Sequence, residues 1–153
     1  MINQLATLAC LSSCQPAQHC VGFTDSGPRL WSDLCLRSDA WQSHLAELTT
    51  DIVTLYEDDL FEFSAALLAC WRLGKTALLP NNTLDKTLNT IESQYGARRV
   101  QIEDIKAKPP ESNLMQNRPP QDSGDRALII FTSGSSGEPL AIEKSFAQLD
   151  NEI

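Results

Sequence analysis

A dense run of glycine and hydroxyl side chains, FTSGSSGEP, occupies residues 131–139. It begins at the end of the apolar run 127–131, which has the length of a buried strand. Glycine permits positive φ and lets another group approach the backbone closely. Successive free N–H groups in such a turn form a concavity that attracts anions. The pattern therefore predicts a phosphate-binding loop at the end of a strand.

The spacing excludes the phosphate loop of P-loop NTPases, G-x4-G-K-[ST], which runs from a strand into a helix. Counted from Gly134, the second glycine would fall at Pro139, and no G-K-[ST] follows. A G-K-T does occur at residues 74–76, but the first glycine of the motif would fall at Ala69. That stretch also runs from a predicted helix into a predicted strand, so we interpret Gly74 as a helix stop.

The elements that must position the loop alternate between strand and helix patterns, which is typical of a parallel α/β sheet flanked by helices. The pattern predicts a hairpin at 21–23 and 29–31, a helix from Ser32 to about Leu48, strands at 52–56, 76–79 and 100–103, and helices at 60–73 and 84–95. Strands at 127–131 and 140–144 then enclose the glycine-serine run.

Polar residues and glycines predict where these helices begin and end. Asp58 or Asp59 is expected to cap the helix 60–73, whose apolar residues lie nearly all round and predict that the helix is largely buried. Thr83 is expected to cap the next helix, which ends before Gly96. Ser145 and Gln148 have the spacing of a capping box that opens a final helix.

Composition excludes several classes of function. The 153 residues carry a formal net charge of −8, which argues against a nucleic-acid binder, and no apolar stretch is long enough for a membrane span. Five cysteines suit a reducing, cytoplasmic compartment. The spacing of Cys10, Cys14, His19 and Cys20 favours free thiols over a zinc site. A short N-terminal helix is the interpretation of the first ten residues.

The chain divides into three segments by composition. Residues 1–105 form a predicted α/β subdomain, and residues 106–126 are a polar loop that carries four of the eight prolines. Residues 127–153 comprise the strand, the glycine-serine loop, a second strand and the start of a helix.

The loop and its flanks resemble the first phosphate-binding signature of the adenylate-forming enzymes, the superfamily that includes acyl-CoA synthetases, nonribosomal peptide adenylation domains and luciferases. That signature is roughly [YF]-T-S-G-[ST]-[TS]-G-x-P-K-[GA]-[VI], followed about four residues on by [ST]. Nine consecutive residues from Phe131 to Pro139 match it, and Ser145 lies beyond. The preceding α/β pattern is similar to the start of the superfamily's large N-terminal domain, and the continuation after Pro139 looks closest to acyl-CoA synthetase-like ligases.

The resemblance implies an ATP-dependent enzyme that adenylates a carboxylic acid and passes the acyl group to a thiol, either CoA or a carrier protein. Its site residues would bind the β- and γ-phosphates of ATP with Mg²⁺; they are Thr132, Ser133, Gly134, Ser135, Ser136 and Gly137. The family usually has lysine where this chain has Leu140. Lys144 is not expected to replace it, because Cα atoms four residues apart on a strand are about 13 Å apart.

Family members continue for several hundred residues and carry their catalytic and metal-binding residues there, so no catalytic residue and no metal ligand is assigned to this chain. We expect it to be a truncated, inactive N-terminal part of such a ligase that exposes apolar surface and forms a homodimer. The alternative is a stand-alone, non-catalytic α/β module for binding or assembly.

Overall fold

The computed structural model of the protein describes residues 15–25, 27–106, 126–132 and 140–152. The predicted N-terminal helix and most of the proline-rich loop lie outside these residues. The elements in chain order are β1 (Cys20–Thr24), β2 (Gly27–Leu30), α1 (Trp31–Leu45), β3 (Ile52–Leu55), α2 (Leu60–Arg72), β4 (Thr76–Leu79), α3 (Asp85–Tyr95), β5 (Arg98–Val100), α4 (Ile102–Lys106), β6 (Arg126–Thr132), β7 (Leu140–Ser145) and α5 (Phe146–Asp150).

Five of the strands form one sheet in the order β5-β3-β4-β6-β7. The first four are parallel, and β7 runs antiparallel to β6. Strands β1 and β2 form a separate antiparallel hairpin. The predicted α/β class with a mostly parallel sheet and flanking helices is therefore confirmed.

Helices cover both faces of the sheet. One face packs against α1 and α2 in a core that includes Trp41, Leu45, Ala65, Leu68 and the inward residues of β3 and β4. The other face packs Leu78, Ile129 and Phe131 against Ile91 and Tyr95 of α3. Because the connections after β3 and after β4 lie on opposite faces, the carboxyl ends of these strands are left between the two helix layers.

The predicted start and stop of α2 are confirmed. The Asp59 carboxylate accepts hydrogen bonds from the backbone N–H groups of Phe61, at 2.8 Å, and Glu62, at 3.1 Å. These bonds satisfy donors that a helix N-terminus leaves unpaired. Gly74 has φ +70°, the left-handed conformation that ends the helix at low cost.

Helix α2 is largely buried, as predicted, but its sides are not covered equally. Leu60 is 80% exposed, and Phe61, Phe63, Leu67 and Trp71 are only half-buried. The fully covered side consists of small residues, chiefly Ala65, Ala66 and Ala69, because α1 and the sheet approach the helix closely there. The closest packing of α2 therefore falls on its alanines rather than on its large side chains.

The strand predicted over residues 100–103 exists but is displaced. Strand β5 begins two residues earlier, at Arg98, and the chain after Gln101 turns into the short helix α4. The Glu57 carboxylate accepts a hydrogen bond of 2.8 Å from the Ile102 N–H, which fixes the first turn of α4. Burial of Ile105 holds the helix against the core.

Two predicted helix caps are displaced. The N-cap of α1 is Leu30 rather than Ser32, and the Asp33 carboxylate accepts the Leu30 N–H at 2.9 Å. The N-cap of α3 is Leu84 rather than Thr83, with the Asn82 side chain accepting the Leu84 N–H at 3.0 Å. The capping box of Ser145 and Gln148 at α5 is confirmed.

Within the residues that the structure describes, no helix is both long and apolar enough to cross a membrane. The division of the chain at residues 106–126 stays a prediction, since residues 107–125 lie outside the described part.

Candidate phosphate-binding edge

The candidate site lies at the carboxyl end of β6. This strand pairs with β4 through Ile130 opposite Leu79, and then continues for two residues beyond the end of β4. On its other side it pairs with β7, where Thr132 lies opposite Leu140. The residues between these two are therefore the connection of an antiparallel pair, at the edge of the sheet where ligands of open α/β folds bind.

The strand that carries the loop is held firmly up to its last residue. The Phe131 side chain is buried and meets the Tyr95 ring of α3 edge to face, with the ring centroids 5.6 Å apart. At the start of β6, the Ala127 carbonyl accepts a hydrogen bond of 3.1 Å from the Trp71 indole N–H. A rigid strand fixes the position at which a loop begins, which is the requirement for a preorganised site.

Thr132 is the one predicted phosphate-binding residue within the described part of the chain. It is half-buried as the last residue of β6, and its hydroxyl makes a long contact of 3.5 Å with the Leu140 carbonyl. Ser133, Gly134, Ser135, Ser136 and Gly137 lie outside the described residues, so their roles stay predictions.

The position of the lysine that the family signature usually contains is taken by an apolar side chain. Leu140 is the first residue of β7 and is 61% exposed. Lys144 lies opposite Leu128, at the far end of the strand pair, and its ammonium group pairs with Glu152. This register supports the prediction that Lys144 does not substitute for the signature lysine, which stays a prediction.

A carboxyl group that the sequence interpretation did not single out lies at the same edge. Glu57 follows β3 and caps α4 through the Ile102 N–H. Partial burial raises the pKa of Glu57, the bond from Ile102 lowers it, and the neighbouring Glu103, Glu62 and Asp58 raise it further. The signal that could have identified Glu57 is an acidic residue directly after a predicted strand of a parallel sheet.

The glycine-lysine-threonine stretch at residues 74–76 lies at the opposite, amino edge of the sheet. The Lys75 side chain is buried, and its ammonium group donates to the Leu48 carbonyl at 3.0 Å and the Thr50 carbonyl at 2.6 Å. Thr76 donates its hydroxyl to the Arg126 carbonyl at 3.1 Å. These bonds join elements of the fold. Gly74 itself has φ +70°, so the interpretation of this glycine as a helix stop is confirmed.

Two cysteines of the described residues have thiols with raised pKa values. Burial raises the pKa of Cys70 to about 12, although the charge of Lys75 opposes the shift. Burial also raises the pKa of Cys35, against the opposing effect of the adjacent Arg72 guanidinium. Across the described residues, no three His, Cys, Asp or Glu side chains are grouped so that they could hold a metal ion.

Solved structures share this architecture. The N-terminal subdomain of Klebsiella oxytoca NpsA, in complex with 3-hydroxyanthranilyl-AMSN, is 19% identical in sequence with a TM-score of 0.74 over 93% of this chain. Rhodopseudomonas palustris MatB is 16% identical over 96% of this chain, with TM-scores of 0.73 for the apo structure and 0.69 for the ATP-bound structure. No protein-family model matches the sequence, and no curated protein matches it.

The chain has the fold of the N-terminal part of adenylate-forming enzymes, as its sequence predicts. It spans 41% of the length of the NpsA subdomain and 36% of the MatB chain. At these identities the likeness concerns the fold.

Proposed function

We propose that the chain is the N-terminal part of an ATP-dependent ligase that activates a carboxylic acid as its acyl adenylate. The observation that carries the proposal is that the run 131–139 matches the signature and that the residues flanking its central part, Thr132 and Leu140, pair at the carboxyl end of β6. One protein of the same fold has been solved with ATP bound, and another with an AMSN conjugate. In the reaction a carboxylate oxygen attacks the α-phosphorus of ATP and pyrophosphate leaves.

The loop's contribution to this reaction is to hold the departing pyrophosphate. The hydroxyl groups of Thr132, Ser133, Ser135 and Ser136 would donate to oxygens of the β- and γ-phosphates. Gly134 and Gly137 would let the backbone N–H groups approach the same oxygens. Donors positioned where negative charge develops supply the stabilisation that adenylation requires. Mg²⁺ would arrive with the triphosphate and neutralise part of its charge.

The finer features of the function follow from the same resemblance. The acyl group would pass to a thiol of CoA or of a carrier protein, in an acyl-CoA synthetase-like pathway of fatty acid metabolism in the cytoplasm. The chain alone would be inactive, because members of the family carry their catalytic and metal-binding residues beyond the part that this chain resembles. A homodimer of the chain is supported by the exposed apolar side chains of Leu140 and Ile142 on the edge strand β7.

A non-catalytic α/β module for binding or assembly is the second candidate. The observation that favours it is Leu140, because an exposed leucine in place of the signature lysine removes a cation beside the triphosphate. This candidate predicts no measurable interaction between the loop and phosphates.

The proposal is tested by NMR. The ¹⁵N-labelled chain is titrated separately with ATP, inorganic triphosphate and adenosine while its amide signals are monitored. We expect the amide signals of residues 132–137 to shift with ATP and with triphosphate but not with adenosine. Binding should be near millimolar, which corresponds to about 4 kcal/mol. Gly134→Val should abolish these shifts, because a β-branched side chain resists positive φ and blocks the phosphate.

Gly22→Val is the matched control. Gly22 lies in β1 with no positive φ, and a Cβ there would meet nothing within 4 Å, so this variant should bind triphosphate as the unchanged chain does. Equal binding by Gly134→Val, or no loop shifts in the unchanged chain, would overturn the proposal in favour of the non-catalytic module. ATP–pyrophosphate exchange by the chain alone, with fatty and aryl acids, would contradict only the expected inactivity.

A further inference from the structure

The last two residues of β6 have a strand neighbour on one side only. β4 ends at Leu79 and pairs as far as Ile130, so Phe131 and Thr132 pair with the edge strand β7 and not with β4. Backbone pairing therefore holds the end of β6 less firmly than its middle. The packing of the buried Phe131 side chain consequently has a larger share in fixing this end.

The Tyr95 ring of α3 supplies part of that packing. It meets the Phe131 ring edge to face, with the centroids 5.6 Å apart and the ring planes at 88°. Both rings belong to the core on this face of the sheet, together with Leu78, Ile91 and Ile129. An edge-to-face pair has a preferred geometry as well as buried area, so it orients the two rings relative to each other.

Tyr95 is itself held in place by the ends of two strands. It is the last residue of α3, and the carbonyl of the following Gly96 accepts the Thr50 hydroxyl at 2.7 Å, just before β3. The Arg99 guanidinium of β5 donates to three side chains of α3 at 3.0–3.3 Å: Asp85, Asn89 and Glu92. These bonds fix α3, and with it the Tyr95 ring, relative to the sheet.

We propose that Tyr95 is a positioning residue for phosphate binding, an inference that rests on the proposed function of the loop. Its ring holds Phe131, and Phe131 holds the adjoining Thr132, whose hydroxyl is a candidate donor to the triphosphate. A donor that is already ordered before the ligand arrives loses less entropy on binding. Tyr95 acts through the ring contact, so its own hydroxyl group is not required.

The test compares Tyr95→Leu with Tyr95→Phe, which keeps the ring, and with a control at another ring pair. Phe146 meets the Trp71 ring edge to face, with centroids 5.3 Å apart, in the core on the opposite face of the sheet. It follows Ser145, which pairs with the start of β6, far from Thr132. Tyr95→Leu and Phe146→Leu should each lower Tm by roughly 5 °C, and Tyr95→Phe should keep it.

The first measurement is methyl relaxation by NMR of the ligand-free chain with labelled threonine. The order parameter of the Thr132 methyl group should fall in Tyr95→Leu and stay unchanged in Tyr95→Phe and Phe146→Leu. The Thr24 methyl group, in the separate β1-β2 hairpin, is the internal reference and should not change. An unchanged Thr132 methyl group in Tyr95→Leu, or an equal response to Phe146→Leu, would overturn the proposal.

The second measurement is the affinity for inorganic triphosphate. Tyr95→Leu should bind it roughly three- to tenfold more weakly than the unchanged chain, whereas Tyr95→Phe and Phe146→Leu should bind it equally well. Equal affinity of Tyr95→Leu and the unchanged chain would overturn the proposal. No binding by the unchanged chain would overturn the proposed phosphate binding, while a Thr132 response confined to Tyr95→Leu would still support the positioning of Thr132 by Tyr95.

Discussion

The two edges of the sheet carry similar residues with opposite roles. At the amino edge, Gly74, Lys75 and Thr76 join α2 to β4, and every polar group of the lysine and threonine side chains is bonded to a backbone carbonyl. At the carboxyl edge, Thr132 ends a strand that extends past its neighbour, and its hydroxyl makes only a long contact. Chemically similar residues form hydrogen bonds within the fold at one edge and are candidate ligand contacts at the other.

The direction of the strands accounts for this difference. The carboxyl ends of parallel strands face a crevice between helices on opposite faces, whereas the amino ends receive chain from the helices that precede them. Lys75 at the amino edge therefore meets carbonyl groups of the connection between α1 and β3. Residue type alone does not distinguish a phosphate-binding loop from a connection that only joins a helix to a strand.

The largest expected effect comes from the amino edge. Lys75→Met should lower the free energy of unfolding by about 2–3 kcal/mol, because it leaves the Leu48 and Thr50 carbonyls without their charged donor. Urea unfolding measures this loss. The exposed Lys86→Met on α3 is the control and should change stability by less than about 0.5 kcal/mol. Weaker triphosphate binding by folded Lys75→Met would contradict the assignment of this lysine to the fold.

A smaller effect is expected at Gly74. Gly74→Ala should lower the unfolding free energy by about 1 kcal/mol, since φ +70° is unfavourable for a residue with a Cβ. Gly22→Ala, in open space without positive φ, should be neutral or stabilising. The two variants are compared by thermal unfolding. Equal stabilities would mean that the turn after α2 relaxes without cost.

At the carboxyl edge, Leu140→Lys restores the cation of the signature. We expect triphosphate to bind about two- to fivefold more tightly, which is the range of an exposed ion pair. Ile142→Lys, two residues farther along the same face of β7, is the matched control and should change affinity less. Isothermal titration with inorganic triphosphate compares the two variants. A larger gain for Ile142→Lys would place the anion elsewhere on β7.

The smallest effect concerns Glu57. Its raised pKa means that the folded protein keeps the proton to a higher pH than the unfolded chain. The resulting stability is complete below the pKa of the unfolded chain and is lost as pH rises through the folded pKa. Between about pH 4 and pH 7 the unchanged chain should therefore lose stability relative to Glu57→Gln. Asp25→Asn, exposed beyond β1, is the control, and a parallel pH profile for all three chains would contradict the shift.

The sequence predicts those parts of the fold that depend on local residue patterns. Strands β3, β4 and β6 lie where β-branched and apolar runs place them, and the caps at Asp59 and Ser145 follow from side chains next to the helices they cap. The connection of β6 to β7 by the glycine-serine run was predicted for the same reason. Its residues are adjacent in sequence, so no distant contact was needed.

The errors arise where distant groups decide the local conformation. Residues 100–103 have strand-forming side chains, but a carboxylate 45 positions away accepts the Ile102 N–H and starts a helix. The exposure of Leu60 depends on the hairpin and α1, which a helix pattern alone does not include. The order β5-β3-β4-β6-β7, which places the site, likewise depends on long-range pairing.

That strand order also has a consequence for the synthesis of the chain. β4 is central, and its partner β6 is complete only after about fifty further residues have been added, which takes roughly 3–10 s on a ribosome. During that time the buried, apolar strand Thr76–Leu79 has one edge without a hydrogen-bonding partner. Unpaired edges of this kind recruit strands from other chains. A nascent chain that stalls before residue 126 therefore presents a central strand as a template for aggregation.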